Sequence, residues 1–310
     1  MLTVSLILAG ALAAPASAKA PTADDYVGRW NVKIIDAEDT FVSGGFQFVK
    51  KGATLEGGLV WRWGSYLPAK SIDVKDGVLR ITREETPGKV DAFEARLEGE
   101  MLKGQVSYPD GKVHHFEGKK APLLLDKRAP AWGAPRTLFD GKTLEGWKLR
   151  DTKKQNGWAA QNGELVVVEP KDNADLVSEQ SFRDLKLHVE FNIDKHSNSG
   201  VYLRGRYEIQ ILDNEDAKMA LDSHGCGALY SRVAPKLDAT KPAGEWQSYD
   251  ITFVGRQLRV VLNGQEIVST IVDGITGGAL DPFEGEPGPL MLQGDHGKVR
   301  FRNIVVTPGR

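Results

Sequence analysis

Cysteine is almost absent: the 310 residues contain one, Cys226, so no internal disulfide can staple the fold. A chain this long buries enough apolar surface to do without one. Cys226 stands between Gly225 and Gly227 with no CxxC partner and reads as a small packing residue. His224, two positions away, keeps a thiol nucleophile open as the alternative. An excess of charge of either sign is also missing. Lys and Arg total 40 against 42 Asp and Glu, interspersed along the chain, for a net charge of −2. Without a basic face to neutralise phosphates, nucleic acid is excluded as a partner. Beyond the N-terminal apolar run, no stretch is long enough to span a bilayer. There is no GxSxG, P-loop or dinucleotide fingerprint, and no HxH or HExxH spacing to enforce a metal site.

What is present begins with a leader-like segment. Residues 2–14 are almost wholly apolar, and Ala16-Ser17-Ala18 is a small-x-small triplet followed by Lys19. Residues 1–18 therefore read as a secretory signal, although no Lys or Arg precedes the apolar run. The expectation is an exported protein, periplasmic or extracellular. The alternative is a buried N-terminal helix, which would need a helix downstream to pack on, and the sequence offers none.

The 34 glycines and 15 prolines are scattered singly, as turn residues between short strands are. Over 24–120, strand-like runs at 30–35, 45–50, 54–61, 77–82, 93–97, 102–108 and 112–119 alternate with turns such as Lys51-Gly52, Asp76-Gly77 and Asp110-Gly111. This predicts a small antiparallel β-barrel or sandwich, to which no chemistry is assigned. Trp61 and Trp63 read as sharing one face, and core packing outweighs sugar stacking for them. Residues 121–135, with Pro122, Pro130 and Pro135 and no periodicity, read as a linker. From 136 to 310 the strands resume, at 163–169, 185–193, 200–203, 207–212, 247–254, 257–262, 265–268, 289–293 and 299–306. Asn263-Gly264 is a hairpin signal, and residues 215–221 suggest one helical turn. The class is all-β, and the second part is a two-sheet sandwich.

Alternation along the strands locates the polar groups. In 185–193 the odd positions Leu185, Leu187, Val189, Phe191 and Ile193 are apolar, whereas Lys186, His188, Glu190 and Asn192 form a polar stripe. In 207–212 Ile209 and Ile211 point inward and Glu208 and Gln210 outward; Val201 and Leu203 oppose Tyr202 and Arg204 in the same way. A solvated outer face is the first reading of any single stripe. Here Glu190, Glu208, Gln210, Arg204, Tyr202 and Asn198 are short or planar groups suited to hydroxyl recognition, and they are expected to gather on the hollow side of one bent sheet.

These residues carry a resemblance. The run LFDGKTLEGW at 138–147 is followed in order by NSGVYLR at 198–204, YEIQILDN at 207–214, GALY at 227–230, GEW at 244–246, His296-Gly297 and VRFRNI at 299–304. Over roughly 136–307 the chain resembles the 3-keto-disaccharide hydrolase family, a former domain of unknown function. The resemblance does not cover the N-terminal part. It implies a concanavalin A-like jelly-roll sandwich with a carbohydrate substrate in its concavity. It also implies cleavage of glycosides already oxidised at C3, where the ketone acidifies the C2 proton and the C1 substituent leaves.

Such a site needs a base, an acid for the leaving oxygen and a positive group for the enolate. By residue chemistry, Glu208 is the first candidate base and Glu190 the second. Arg204 is the candidate for enolate charge and for an ion pair with Glu208. His296, in the loop Gly294-Asp-His-Gly297, is the candidate acid. Asn198, Tyr202, Gln210 and Tyr230 would bind hydroxyls, and Arg302 could reach the same face, with a structural ion pair as its alternative. His188 reads as polar surface. No cofactor is specified by the sequence, and the need for metal is left open; a divalent cation is conceivable, with Glu190, Glu208, Asp213 and His296 as ligands. The acidic cluster at 213–216 is read as a surface turn before a calcium loop. Two other readings stand beside the enzyme: a non-catalytic lectin-like module using the same face, and an envelope-interaction protein.

Overall fold

The computed structural model describes residues 20–125, 130–214 and 217–309. The expected signal at 1–18, Lys127 and Arg128 of the linker, and Glu215 and Asp216 of the acidic cluster lie outside the described residues.

Period-two alternation builds the N-terminal sheet. Its nine antiparallel strands run, in spatial order, Leu67–Pro68, Thr54–Trp61, Ser43–Lys51, Gly28–Ile34, Val113–Lys120, Met101–Ser107, Lys89–Glu98, Val78–Thr86 and Ser71–Lys75. The sheet curls so that its ends approach: the Ala69 amide donates to Gly57 (2.9 Å) and the Lys70 amide to Thr82 (2.8 Å). Trp30, Phe46, Phe48, Trp61, Phe93 and Phe116 fill the inside, with Trp61 edge-on to Phe93 at 4.9 Å. A short helix, Ala23–Tyr26, closes one end, and the buried Tyr26 hydroxyl donates to Gly77.

From Arg136 onward two antiparallel sheets face each other. The eight-stranded sheet orders Trp158–Gln161, Glu164–Val167, Val299–Pro308, Leu185–Ile193, Gln247–Val254, Gln257–Leu262 and Gln265–Ile271, with Arg136–Thr137 also pairing the long Val299–Pro308 strand. The five-stranded sheet orders Trp147–Leu149, Leu176–Phe182, Gly288–Leu292, Asn198–Leu203 and Tyr207–Leu212. Leu185, Leu187, Val189, Phe191 and Ile193 from the first meet Val201, Leu203, Ile209, Ile211, Leu290 and Leu292 from the second in one core. This is a jelly-roll sandwich beside a curled β-sheet, and the protein is all-β but for two single-turn helices among the described residues.

The two parts are bonded together. Val60, from the N-terminal sheet, is buried in the sandwich core cluster with Ile275. Arg29 pairs with Glu284 at 2.7 Å, and the Tyr207 hydroxyl donates to the same carboxylate at 3.1 Å. Arg232 lies over the Tyr66 ring (4.2 Å) and donates to the Ile275 carbonyl. The Gly278 amide donates to the Arg62 carbonyl (2.8 Å). These contacts seat the turn after Trp61 against the loop around Gly277, beside the five-stranded sheet.

Candidate active site

The strands Asn198–Leu203 and Tyr207–Leu212 pair with Gly200 opposite Gln210 and Tyr202 opposite Glu208. Because Val201, Leu203, Ile209 and Ile211 fill the core, the alternate side chains point out of the sandwich. Asn198, Tyr202, Glu208 and Gln210 thereby line a cleft of about 320 Å³. Gln293, Asp295 and His296 enter it just beyond Gly288–Leu292, together with Arg150, Asp175 and Tyr230. Phe41 and Trp63, from the N-terminal part, complete its wall.

Glu208 sits at the floor, only 3% exposed. The Tyr202 hydroxyl donates to its Oε2 at 2.8 Å, and Gln210, with its amide nitrogen turned toward the carboxylate, reaches Oε1 at 3.3 Å. Glycine is required beneath it, because a Cβ at Gly200 would lie 2.4 Å from Glu208 Oε1. Burial pushes the Glu208 carboxyl up to about 8; the Tyr202 hydrogen bond and the charge of His296 oppose that rise, and Asp175 and Asp295 add to it. His296 hydrogen-bonds through Nδ1 to Asp295, which lifts the imidazole above its ordinary range against some desolvation. Burial would raise Asp295, but His296 and then Lys154 hold it below the usual carboxylate range. Asp175, raised by burial, pairs with Arg150 at 3.3 Å and accepts from the Gly294 amide. Among the residues that line the cleft, the buried Asn198 Oδ1 and Gln293 Oε1 have no hydrogen-bond partner. Chemically, the cleft offers a carboxyl poised to exchange a proton near neutral pH and an imidazole whose Asp295 partner favours its protonated form.

The sequence model of the 3-keto-alpha-glucoside-1,2-lyase-like domain matches residues 134–307, more than half of the chain. The chain belongs to this family. A curated relative from Bacteroides thetaiotaomicron, named 3-keto-disaccharide hydrolase, is 26% identical across 37% of this chain and 51% of its own length. The chain thus spans about half the length of that curated relative. Two crystal structures of candidate glycosyl hydrolases from Parabacteroides distasonis are also similar. One is 20% identical with TM-score 0.48, covering 57% of this chain and 94% of that one. The other is 26% identical with TM-score 0.46, covering 57% of this chain and 100% of that one.

Within the lyase-like domain, the structure brings Glu208, His296, Asn198, Tyr202, Gln210 and Tyr230 to one cleft. It separates three others. Glu190 and Arg302 are cross-strand partners on the eight-stranded sheet, and both point away from the shared core, on the opposite side of the sandwich from Glu208. Alternation tells which side of its own sheet a residue takes, but not which sheet it belongs to. Residues that avoid the core of a sandwich lie on opposite outer faces when they come from different sheets. Arg302 Nε donates to Glu190 Oε2 at 2.6 Å and its guanidinium covers Trp246, so the structural ion pair holds for it. Against desolvation, hydrogen bonds from Asn303 and Arg302 keep Glu190 below the usual range, which makes it a poor base. His188 pairs with Asp250 on that same face.

Arg204 is the third correction. Its strand ends at Leu203, and Arg204 takes a turn conformation with φ +53, so alternation no longer applies. Its side chain is buried over Phe253 (4.0 Å) and reaches Asp184 at 3.3 Å; it makes no pair with Glu208. The Cys226 thiol is buried against the Tyr249 hydroxyl, and burial pushes it up to about 11, which disarms it as a nucleophile. Among the described residues no three His, Cys, Asp or Glu are grouped to hold a metal ion. The polar face of the sheet is accordingly smaller than expected and lies on the five-stranded sheet alone. Sequence reasoning missed Arg150, Asp175, Asp295, Gln293, Phe41 and Trp63. Asp295 stood beside the chosen His296, and Asp175 is the nearest to legible, one residue before a strand. Arg150 and Phe41 lie in loops with no local signal.

Proposed function

We propose that the chain cleaves glycosides already oxidised to a ketone at C3, with Glu208 as the base and His296 as the acid. Membership in the lyase-like family supports the substrate class. The observation that carries the reading is a buried carboxyl, hydrogen-bonded by Tyr202, in one cleft with an imidazole hydrogen-bonded to Asp295.

In the proposed step the ketone at C3 acidifies the C2 proton, and ionised Glu208 takes it. The C2–H electron pair moves into an enolate, and positive potential from Arg150 and His296 opposes the charge that develops on the C3 oxygen. The C1–O bond then breaks; its electron pair leaves with the aglycone oxygen, which takes a proton from His296. The sugar becomes an enone, and addition of water across C1 and C2 makes the net change hydrolysis. Asn198, Gln210, Gln293 and Tyr230 supply hydrogen bonds to hydroxyls. A parent glycoside without the ketone has no acidified C2 proton and is inert in this scheme.

The test is direct. Purified protein is incubated with 3-keto-glucosides and with their unoxidised parents, with and without chelator. Cleavage of the keto compounds alone is expected, and Glu208→Gln should remove it while leaving the folding transition in place. Binding of both compounds without turnover would replace the enzyme by a carbohydrate-binding module. Export is the reading that residues 2–18 support; a chain recovered only from the cytoplasm with Met1 still in place would refute it.

A further inference from the structure

The residues of the cleft floor come from the sandwich, but part of the wall does not. The turn that follows the strand Thr54–Trp61 carries Trp63 to the cleft, and Phe41 comes from the loop before Ser43–Lys51. Trp63 is 57% exposed, unlike Trp61, which is buried in the sheet interior. The two do not share a face because Arg62 takes φ +57 and ends the alternation. Phe41 meets Trp63 edge-on at 5.6 Å, and the Arg62 guanidinium lies over the ring at 4.4 Å from its centroid, so one face of the indole is braced while the residue stays 57% exposed. Arg150, over the Phe41 ring at 4.3 Å, ties this pair to the cleft. A large exposed aromatic fixed beside a polar cleft is unusual as mere surface, and a flat ligand ring is its natural complement.

A second observation is independent of the rings. A Cβ at Gly277 would lie 2.5 Å from the carbonyl oxygens of both Trp63 and Gly64. The sandwich loop is therefore shaped to let this turn approach, and the Gly278 amide bonds the Arg62 carbonyl there. Trp63 also borders a larger cavity of about 850 Å³ at the mouth of the N-terminal sheet. A leaving group that crosses the indole thus has room beyond it.

We propose that Trp63, supported by Phe41, forms the leaving-group subsite of the cleft and stacks a flat ring attached through the C1 oxygen. This inference rests on the cleavage reading above. The shared chemistry is a planar face, which either the C–H face of a second pyranose or an aromatic aglycone presents. The lyase-like domain alone, residues 134–307, would then hold the oxidised sugar but lack the wall that grips its partner.

The experiment compares three substrates with wild type, Trp63→Ala and Gly277→Val: a 3-keto-disaccharide, an aryl 3-keto-glucoside and methyl 3-keto-glucoside. Trp63→Ala should lower kcat/KM for at least one ring-bearing substrate about tenfold more than for the methyl compound, chiefly through KM. Which ring suffers more identifies the source of the planar face. Gly277→Val, with Trp63 intact, should reproduce the selectivity change by displacing the turn. The exposure of Trp63 makes its removal harmless to folding, which an unchanged melting transition checks. Equal losses for all three substrates, or none, would overturn the subsite while leaving the cleavage reading intact. If wild type cleaves none of the three, both fall together.

Discussion

Tyr202→Phe removes one oxygen atom and isolates the electrostatics of the proposed base. The ring packs with Val177 and Met291 and its hydroxyl donates to Glu208 Oε2 at 2.8 Å. Phenylalanine keeps the packing and deletes the donor. A hydrogen bond to a charged group contributes about 1.5–3 kcal/mol, which corresponds to roughly one to two pH units in the acceptor's titration. The Glu208 carboxyl, already pushed up to about 8 by burial, moves higher still when the bond is lost. Since only the ionised form can take the C2 proton, kcat/KM at neutral pH should fall about 10- to 100-fold. The sign is specific: raised further, the group ionises later, so the ascending limb of the profile moves to higher pH and the deficit shrinks there. Initial rates on a 3-keto-glucoside from about pH 6 to about pH 10, corrected for the uncatalysed elimination, measure this. A loss by one constant factor across that range, or a limb displaced to lower pH, would refute the assignment of Glu208 as the base.

Two further variants separate the cleft from the rest of the sandwich. Gly200→Ala places a methyl 2.4 Å from Glu208 Oε1 and should cost about 1–3 kcal/mol of stability while displacing the carboxylate, read as a lower melting temperature and lost turnover. Glu190→Gln, on the opposite face, should leave kcat/KM within about twofold and change stability by no more than about 1 kcal/mol, because its pair with Arg302 is partly exposed. A large loss of turnover in Glu190→Gln would show that the eight-stranded face takes part after all.

Much of this arrangement is legible in residue order. Strict alternation in Leu185–Ile193 and Tyr207–Leu212 identifies the core residues, and the Asn263-Gly264 turn, with φ +50 and +82, joins its two strands as that dipeptide predicts. Leu176–Phe182 escaped because a register shift between Val177 and Ser181 breaks its period. What alternation cannot supply is the pairing of sheets, and that put Glu190 on the wrong face. It also fails where a strand ends: Arg62 and Arg204, both with positive φ, turned Trp63 outward and Arg204 inward, against the pattern. The acid in the cleft floor, Asp175, and its Arg150 partner meet across 25 positions, a pairing that only the folded chain creates. The wall from Phe41 and Trp63 depends on how two separate sheets dock, which no local signal encodes.

The central claim is removal of the C2 proton, and an isotope label reports on that atom alone. A 3-keto-glycoside carrying deuterium only at C2 is cleaved in ordinary water, and the released sugar is analysed by mass spectrometry against an enzyme-free control. Elimination followed by hydration predicts a product that has lost the label to solvent beyond the control. Full retention of deuterium in the product would mean that water displaces the aglycone directly, and that Glu208 never takes the C2 proton.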